Sequence, residues 1–324
     1  MRIGVNPEKL KNNKLHYYKH RVIIPIYIPN LEEDYYKNAF EVFQKCIHSL
    51  CQTIDKEKTV ITVIDNKCHH KISSFMKDLL LQNKINKLVN YQENKGKVYT
   101  ILSEIKASYE PYLTITDADV FFMNNWEGEV FKIFNGYPKA ALVSPLPCPI
   151  HYKYLNRPLL VNNFFRIKLK DKIGKKSFTL FEQGVNPKQG FFEGKKWSWK
   201  NKQYIITQKN KEACVGATHF VCTLKREYLN LNNLTGPEFV FRNGDEKIYL
   251  EKFIEENGGY RLSTIDTYAY HMGNTIDRWI TEYVFSKVQT KVNIVLNKSY
   301  KKSYRLFTIN KIMFKILSKI RYNN

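Results

Sequence analysis

The chain has 324 residues, 52 Lys+Arg against 30 Asp+Glu for a formal net charge of +22 at pH 7, and 43% hydrophobic and 14% aromatic residues. That much apolar material excludes a disordered basic tail or a low-complexity chain, and the length suffices for one large or two modest folded domains. The positive field favours anionic partners, with nucleic acid, acidic lipid and phosphorylated small molecules as the open classes. In chain order, RVIIPIYIP from Arg21 predicts a strand broken by Pro25 and Pro29. Phe40, Phe43, Ile47 and Leu50 follow at helical spacing. TVITVIDN (Thr59–Asn66) predicts a second strand, and a helix capped by Ser73 or Ser74 runs to Leu81. KLVNYQ (Lys87–Gln92) predicts a third strand, NKGK (Asn94–Lys97) a turn, and Val98, Ile101, Leu102 and Ile105 a helical face. PYLTITDAD (Pro111–Asp119) and AALVSP (Ala140–Pro145) predict strands four and five. Strands alternating with helices on short connections imply βαβ units and a mostly parallel sheet covered on both faces.

After Pro145 the composition changes. Residues 150–213 lack strong periodicity and predict loops or hairpins. Regular structure returns in VGATHFVCTLKREYL, read as a buried strand around His219, and in the helix Lys247–Glu256. From Tyr283 onward there is no acidic residue, and Tyr304–Tyr322 sets Leu306, Ile309, Met313, Ile316, Leu317 and Ile320 opposite Lys311, Lys315 and Lys319. An amphipathic helix of this kind suits the plane of an anionic membrane, or docks on the domain or on a second subunit. No window approaches the roughly 18 consecutive apolar residues of a membrane span, and Met1–Tyr18 lacks the apolar run of a signal peptide. The expectation is a protein that stays cytoplasmic, with its six cysteines as reduced thiols. Cys68-His69-His70 has no second ligand pair at finger spacing and reads as a loop.

Open α/β sheets bind ligands beyond the carboxyl ends of their strands. Three predicted strands end in suitable residues: Asp65-Asn66, Glu93-Asn94 and Asp117-Ala118-Asp119. The Asp-x-Asp spacing says little alone, but a β-rich run delivers both carboxylates to a strand end, where they can converge on one divalent cation. The alternative is an exposed turn capped by aspartates. Trp197 and Trp199 in GKKWSWKNK offer stacking surfaces for a sugar ring, or belong to a basic hairpin packed on the core.

The pattern over about 21–145 resembles the family-2 glycosyltransferases of the GT-A fold. The opening strand VIIPIYIP with its proline, VIDN ending in an acid, the turn and helix NKGKVYTILSEI, and TITDADVFF stand in that family's order. The resemblance implies a GT-A-like, Rossmann-type, mostly parallel α/β sheet with helices on both faces and the basic helical tail appended. It implies an N-terminal extension (1–20), a nucleotide-sugar-binding half (21–145), an acceptor and catalytic-base half (146–282) and the tail (283–324). By the same resemblance Pro25, Asp65, Asn94, Gly96, Lys97, Asp117 and Asp119 bind the donor, with Asp65 on the base or ribose. Asp119 holds the metal with Asp117 and His271. Gly216, His219 and Trp197 lie on the acceptor side, and the pair Asp245-Glu246 ahead of a helix supplies the base, Asp245 first and Glu246 second. The family's second-strand turn ends in Gly-Ser, whereas this chain has Lys67-Cys68. A carboxylate base separate from the donor implies inversion at the anomeric carbon. Histidine among oxygen ligands favours Mn²⁺ over Mg²⁺.

The implied activity is metal-dependent transfer of a sugar from a nucleotide-sugar to a saccharide or lipid-linked saccharide at the inner membrane face, as in cell-surface polysaccharide synthesis. A sugar nucleotidyltransferase would need a glycine- and arginine-rich phosphate loop near the first strand, and none is present. A nucleic-acid-binding protein would carry a recognisable module, and no helix-turn-helix, RNP-like or finger pattern occurs. A catalytically inert, membrane-bound relative of such enzymes is compatible with the same sequence.

Overall fold

β1 (His20–Ile26) shows how the chain is layered: Val22, Ile24 and Ile26 enter one apolar core, while Ile23 enters another on the opposite face. β2 (Thr59–Asn66) and β4 (Tyr112–Thr116) divide their side chains the same way, with Ile61, Val63 and Tyr112 on the first face and Ile64, Leu113 and Ile115 on the second. A sheet buried on both sides reads as a continuous apolar run instead of alternation. The first face carries α1 (Ala39–Thr53), α2 (His70–Leu81) and α4 (Trp126–Gly136). The second carries α3 (Lys97–Lys106) and the helical stretch Lys247–Glu251 continuing into α7 (Lys252–Glu256). The computed structural model describes residues 3–11, 14–185, 200–231, 235–286, 291–296 and 304–322.

Among the described residues, ten strands form the main sheet. β3 (Lys87–Tyr91), β2, β1 and β4 are joined in that order by parallel pairing. β10 (Val221–Lys225) then inserts antiparallel between β4 and β6 (Ala140–Ser144). β11 (Tyr260–Ser263) runs parallel to β6, and β9 (Lys211–Val215), β8 (Gln203–Gln208) and β7 (Ile167–Lys170) finish the edge antiparallel. The sheet is therefore mixed, not mostly parallel. Its parallel half follows the βαβ periodicity, while the later strands pair by returns that skip over helices. A separate two-stranded ribbon joins β5 (Val120–Phe122) to β12 (Ala269–His271).

Several elements differ from expectation. α2 starts at His70, three residues before Ser73, because Ser73 donates its hydroxyl to Asp65 Oδ2 at 2.5 Å while the His69 ring takes the capping position. Residues 150–185 contain α5 (Arg157–Asn162) and α6 (Lys175–Val185), where loops and hairpins were expected. His219 lies on an exposed turn before β10, outside the strand. The tail is not separate from Tyr283: the Tyr283 and Phe285 rings pack 5.2 and 5.9 Å from Phe121. Residues 291–296 cross the opposite end of the sheet, where the Val292 amide donates to Asp55 (2.9 Å), Asn135 to the Asn293 carbonyl (2.7 Å) and the Tyr112 hydroxyl to the Val295 carbonyl (3.1 Å). After α8 (Arg278–Thr281) and this strap, α9 (Tyr304–Leu317) lies against α5.

Candidate functional site

A cavity of about 820 Å³ opens at the carboxyl ends of β1, β2 and β4. Two asparagines build one wall. Asn66 at the end of β2 donates to Asn94 Oδ1 (2.7 Å) and accepts the Lys95 amide (2.8 Å), while Asn94 Oδ1 also accepts the Gly96 amide (2.9 Å). The NKGK turn is thereby fixed and starts α3 at Lys97. Gly96 has φ +80°, and a Cβ there would lie 1.9 Å from the Val240 carbonyl oxygen, so this position admits only glycine while the 236–242 loop stays in place. Tyr27, Tyr35 and Tyr36 form another wall in edge-to-face contact, with ring centroids 6.3 Å (Tyr27–Tyr36) and 5.0 Å (Tyr35–Tyr36) apart. Val240 and Phe241 also line the cavity.

On the cavity floor β4 ends and the chain turns into β5, so Asp117 and Asp119 occupy the turn. The Asp117 amide still bonds the Phe220 carbonyl at 2.9 Å, extending the β4–β10 ladder and fixing where the turn begins. Pairing of β12 with β5 sets His271 opposite Val120 and bonds the Met272 amide to the Asp119 carbonyl at 2.8 Å. The His271 Nε2 atom then lies 3.4 Å from Asp119 Oδ2. Its Nδ1 is 2.9 Å from the Gly184 carbonyl, which can only accept, so Nδ1 carries a proton and Nε2 is the ring nitrogen that faces the carboxylates. One ligand atom from each of Asp117, Asp119 and His271 falls within 4.8 Å of the others.

The electrostatics of this group fit a cation. Burial pushes the Asp119 carboxyl up to about 6, with His271 and Lys97 pulling against the rise and Asp117 adding to it. Asp119 Oδ1 is buried without a hydrogen-bond partner among the described residues. Two oxygen donors and one imidazole, one oxygen unsatisfied, suit a divalent ion. Lys97 meets Asp117 on one side and Glu246 Oε1 at 2.6 Å on the other. Burial works against its ammonium, but the two carboxylates prevail and hold its pKa above the ordinary value. Its side chain keeps 32% exposure, so the pairing decides its charge.

Of the expected donor residues, Pro25, Asn94, Gly96, Lys97, Asp117 and Asp119 line the cavity. Asp65 does not. Its oxygens accept the Cys68 amide (2.8 Å) and the Ser73 hydroxyl, tying β2 to α2, and Asn66 stands at the wall instead. Asp245, the first choice as base, is buried, and its Oδ1 accepts from Arg242 Nε at 2.8 Å. Glu246 is the member of the pair brought to Lys97. Gly216 is a packing residue: at φ +116° its missing Cβ would stand 2.3 Å from the Cys148 carbonyl oxygen. His219 stacks on His151 at 6.4 Å and borders a small crevice beside Glu246, apart from the cavity. Trp197 and Trp199 lie outside the described residues. The sequence marks Asn66 as a strand-end candidate but gives the donor role to its neighbour Asp65, and it does not reveal the tyrosine wall or Gly184. Tyr27 within the first strand was the one available signal, since a backbone carbonyl acting on His271 leaves no mark in a sequence.

An open α/β sheet with a carboxylate–imidazole cluster at its strand ends and a lysine beside it agrees with the GT-A-like arrangement. Residues 28–229 match the profile of Glycosyl transferase family 2, and the chain belongs to that family. No curated protein matched the chain. Among solved structures, S. aureus TarS 1-349 is 14% identical with a TM-score of 0.47, covering 78% of this chain and 60% of that one. The mannosyltransferase PcManGT from Pyrobaculum calidifontis, in complex with GDP-Man and Mn2+, is 15% identical with a TM-score of 0.44, covering 78% and 55%. GalNAc-T7 with UDP, GalNAc and Mn2+ is 13% identical with a TM-score of 0.47, covering 80% and 44%. The chain thus spans 60% or less of the length of these three proteins.

Proposed function

We propose that the protein is an inverting, metal-dependent glycosyltransferase that moves a sugar from a nucleotide-sugar to a saccharide or lipid-linked saccharide. The observation that carries this is the Asp117–Asp119–His271 cluster beside Lys97, in a cavity at the strand ends. Asp117, Asp119 and His271 hold a divalent ion, with the imidazole favouring Mn²⁺ over Mg²⁺. When bound, that ion stabilises the negative charge that develops on the departing diphosphate. Lys97 keeps Asp117 and Glu246 on one ammonium, and adds positive charge where the diphosphate rests. Glu246 accepts the proton of the attacking acceptor hydroxyl as that oxygen bonds the sugar carbon. A base on the acceptor side, distinct from the donor contacts, supports direct displacement and inversion. Residues 21–145 serve the donor and 146–282 the acceptor and base. The setting is the cytosolic face of an anionic membrane.

The test is a panel of UDP-, GDP-, dTDP- and CMP-sugars, scored for binding, hydrolysis and transfer with and without Mn²⁺. At least one donor should turn over only with metal, and Asp119→Ala should abolish that turnover. Failure of every nucleotide-sugar to bind overturns the reading.

A further inference from the structure

α9 presents an unusual face to solvent. An amphipathic helix that docks on its own domain ordinarily turns its apolar stripe inward. Here the helix lies against α5, and among its described side chains Phe314 packs on the main core, with Leu317 partly buried. Ile312, Ile316 and Ile320 are 58, 54 and 70% exposed, and Met313 is exposed next to them. Ile312 and Ile316, four residues apart in α9, form a row on the face away from Phe314, and Ile320 extends it into the π-helical turn Ser318–Tyr322 that continues the helix. Lys311, Lys315 and Lys319 form a parallel row along the other margin of that stripe, all exposed. The docking edge and the apolar stripe are therefore different parts of one helix. The body holds the helix by its edge and leaves the stripe facing outward.

We infer that this stripe is a membrane-binding face, with the helix lying in the plane of an anionic bilayer, its isoleucines in the acyl boundary and its lysines at the headgroups. The charge pattern selects this occupant. From Tyr283 to Asn324 the chain carries ten Lys+Arg and no Asp or Glu. A two-fold contact between copies of the helix would bring lysine rows together with no tail carboxylate to pair them. Anionic headgroups supply that pairing along the whole row, and the adjacent isoleucines supply insertion. No helix among the described residues is long and apolar enough to cross a membrane, so the contact is superficial. Because α9 is seated on α5, binding fixes the orientation of the catalytic body instead of tethering it by a loose leash. This inference sharpens the proposed membrane setting, but does not depend on the transfer reaction.

The experiment uses the full chain with vesicles of phosphatidylcholine alone and of phosphatidylcholine with phosphatidylglycerol, read by co-sedimentation and by size in solution. The unaltered protein should partition at least ~10-fold better onto the anionic vesicles, less so in high salt. Ile312→Ser/Ile316→Ser/Ile320→Ser should lose that partition with an unchanged melting temperature and Mn²⁺ affinity, since these side chains are already exposed. Lys311→Gln/Lys315→Gln/Lys319→Gln should remove the preference for anionic lipid. Sedimentation of the isoleucine variant like the unaltered chain overturns the inference. So does absence of vesicle binding by the unaltered chain, or a stable dimer that only the isoleucine changes dissolve. Loss of vesicle binding with intact donor turnover separates this face from the active site, and failure of the donor panel leaves the vesicle result standing.

Discussion

Asp245 and Glu246 are neighbours in the chain, yet the fold gives them different partners. The turn into the Lys247–Glu251 helix buries Asp245 against Arg242 and directs Glu246 to Lys97. Glu246→Gln should therefore lower transfer by about 10²–10⁴ with donor affinity retained. Asp245→Asn should leave transfer largely intact and act modestly on stability through the weakened charge pairing with Arg242. Single-turnover transfer and denaturant unfolding of both variants check the pair, and normal transfer by Glu246→Gln removes it as the base. Asp119 yields a pH prediction. Its carboxyl is raised to about 6, and a cation needs the ionised form, so protons compete for the site below that pH. Mn²⁺ affinity should be flat above neutrality and fall by about tenfold per pH unit below 6, as calorimetry across a pH series would record. Asp117 and Asp119 were legible because a β-rich run ending in two acids is a local pattern. Which acid of the 245–246 pair faces Lys97 was not, because the rotation at a helix start depends on Arg242 and on packing from distant strands.

The arrangement of elements explains why His271 joins aspartates more than 150 positions earlier. β12 pairs with β5, and α6 closes over the pair, so that the Gly184 carbonyl receives the His271 Nδ1 proton. A Cβ on Gly184 would lie 2.8 Å from the His271 carbonyl oxygen, so Gly184→Ala must move the end of α6 away from β12. Mn²⁺ affinity should drop by about 10–100-fold, the usual cost of losing an outer partner of a ligating histidine. Gly174→Ala serves as control, because its Cβ would meet nothing within 4 Å. Equal Mn²⁺ affinity in the two variants would show that the Gly184 contact does not position the ring. The βαβ elements from β1 to β4 were readable because each is set by periodicity within its own segment. α4 was not read, although Trp126, Val130, Phe131, Ile133 and Phe134 share its buried face, since Gly128 and Gly136 look like breakers in isolation. The antiparallel half was hidden for another reason: the partner of β10 is chosen by where β4 and β6 leave a gap, which no local pattern encodes.

The route of the chain beyond β12 binds opposite ends of the molecule together. Tyr283 and Phe285 hold it beside β5, near the cavity, and residues 291–296 then cross the far end of the sheet before α9 returns to α5. Val292 and Ile294 are buried in that strap, and its backbone is bonded to Asp55, Asn135 and Tyr112. A truncation near Val284 would thus remove part of the core together with the helix, so loss of vesicle binding would not report on α9 alone. The strap should also melt with the sheet. Ile294→Ala alone should cost about 2–5 kcal/mol by removing buried apolar volume, with Val292→Ala adding to it. Calorimetry should show one transition displaced downward by several degrees, with Mn²⁺ and vesicle binding unchanged at 25 °C. Two separated transitions would mean that the strap unfolds independently of the sheet. A single displaced transition makes the acid-free segment part of one cooperative unit with the sheet, which therefore carries α9 as a fixed surface.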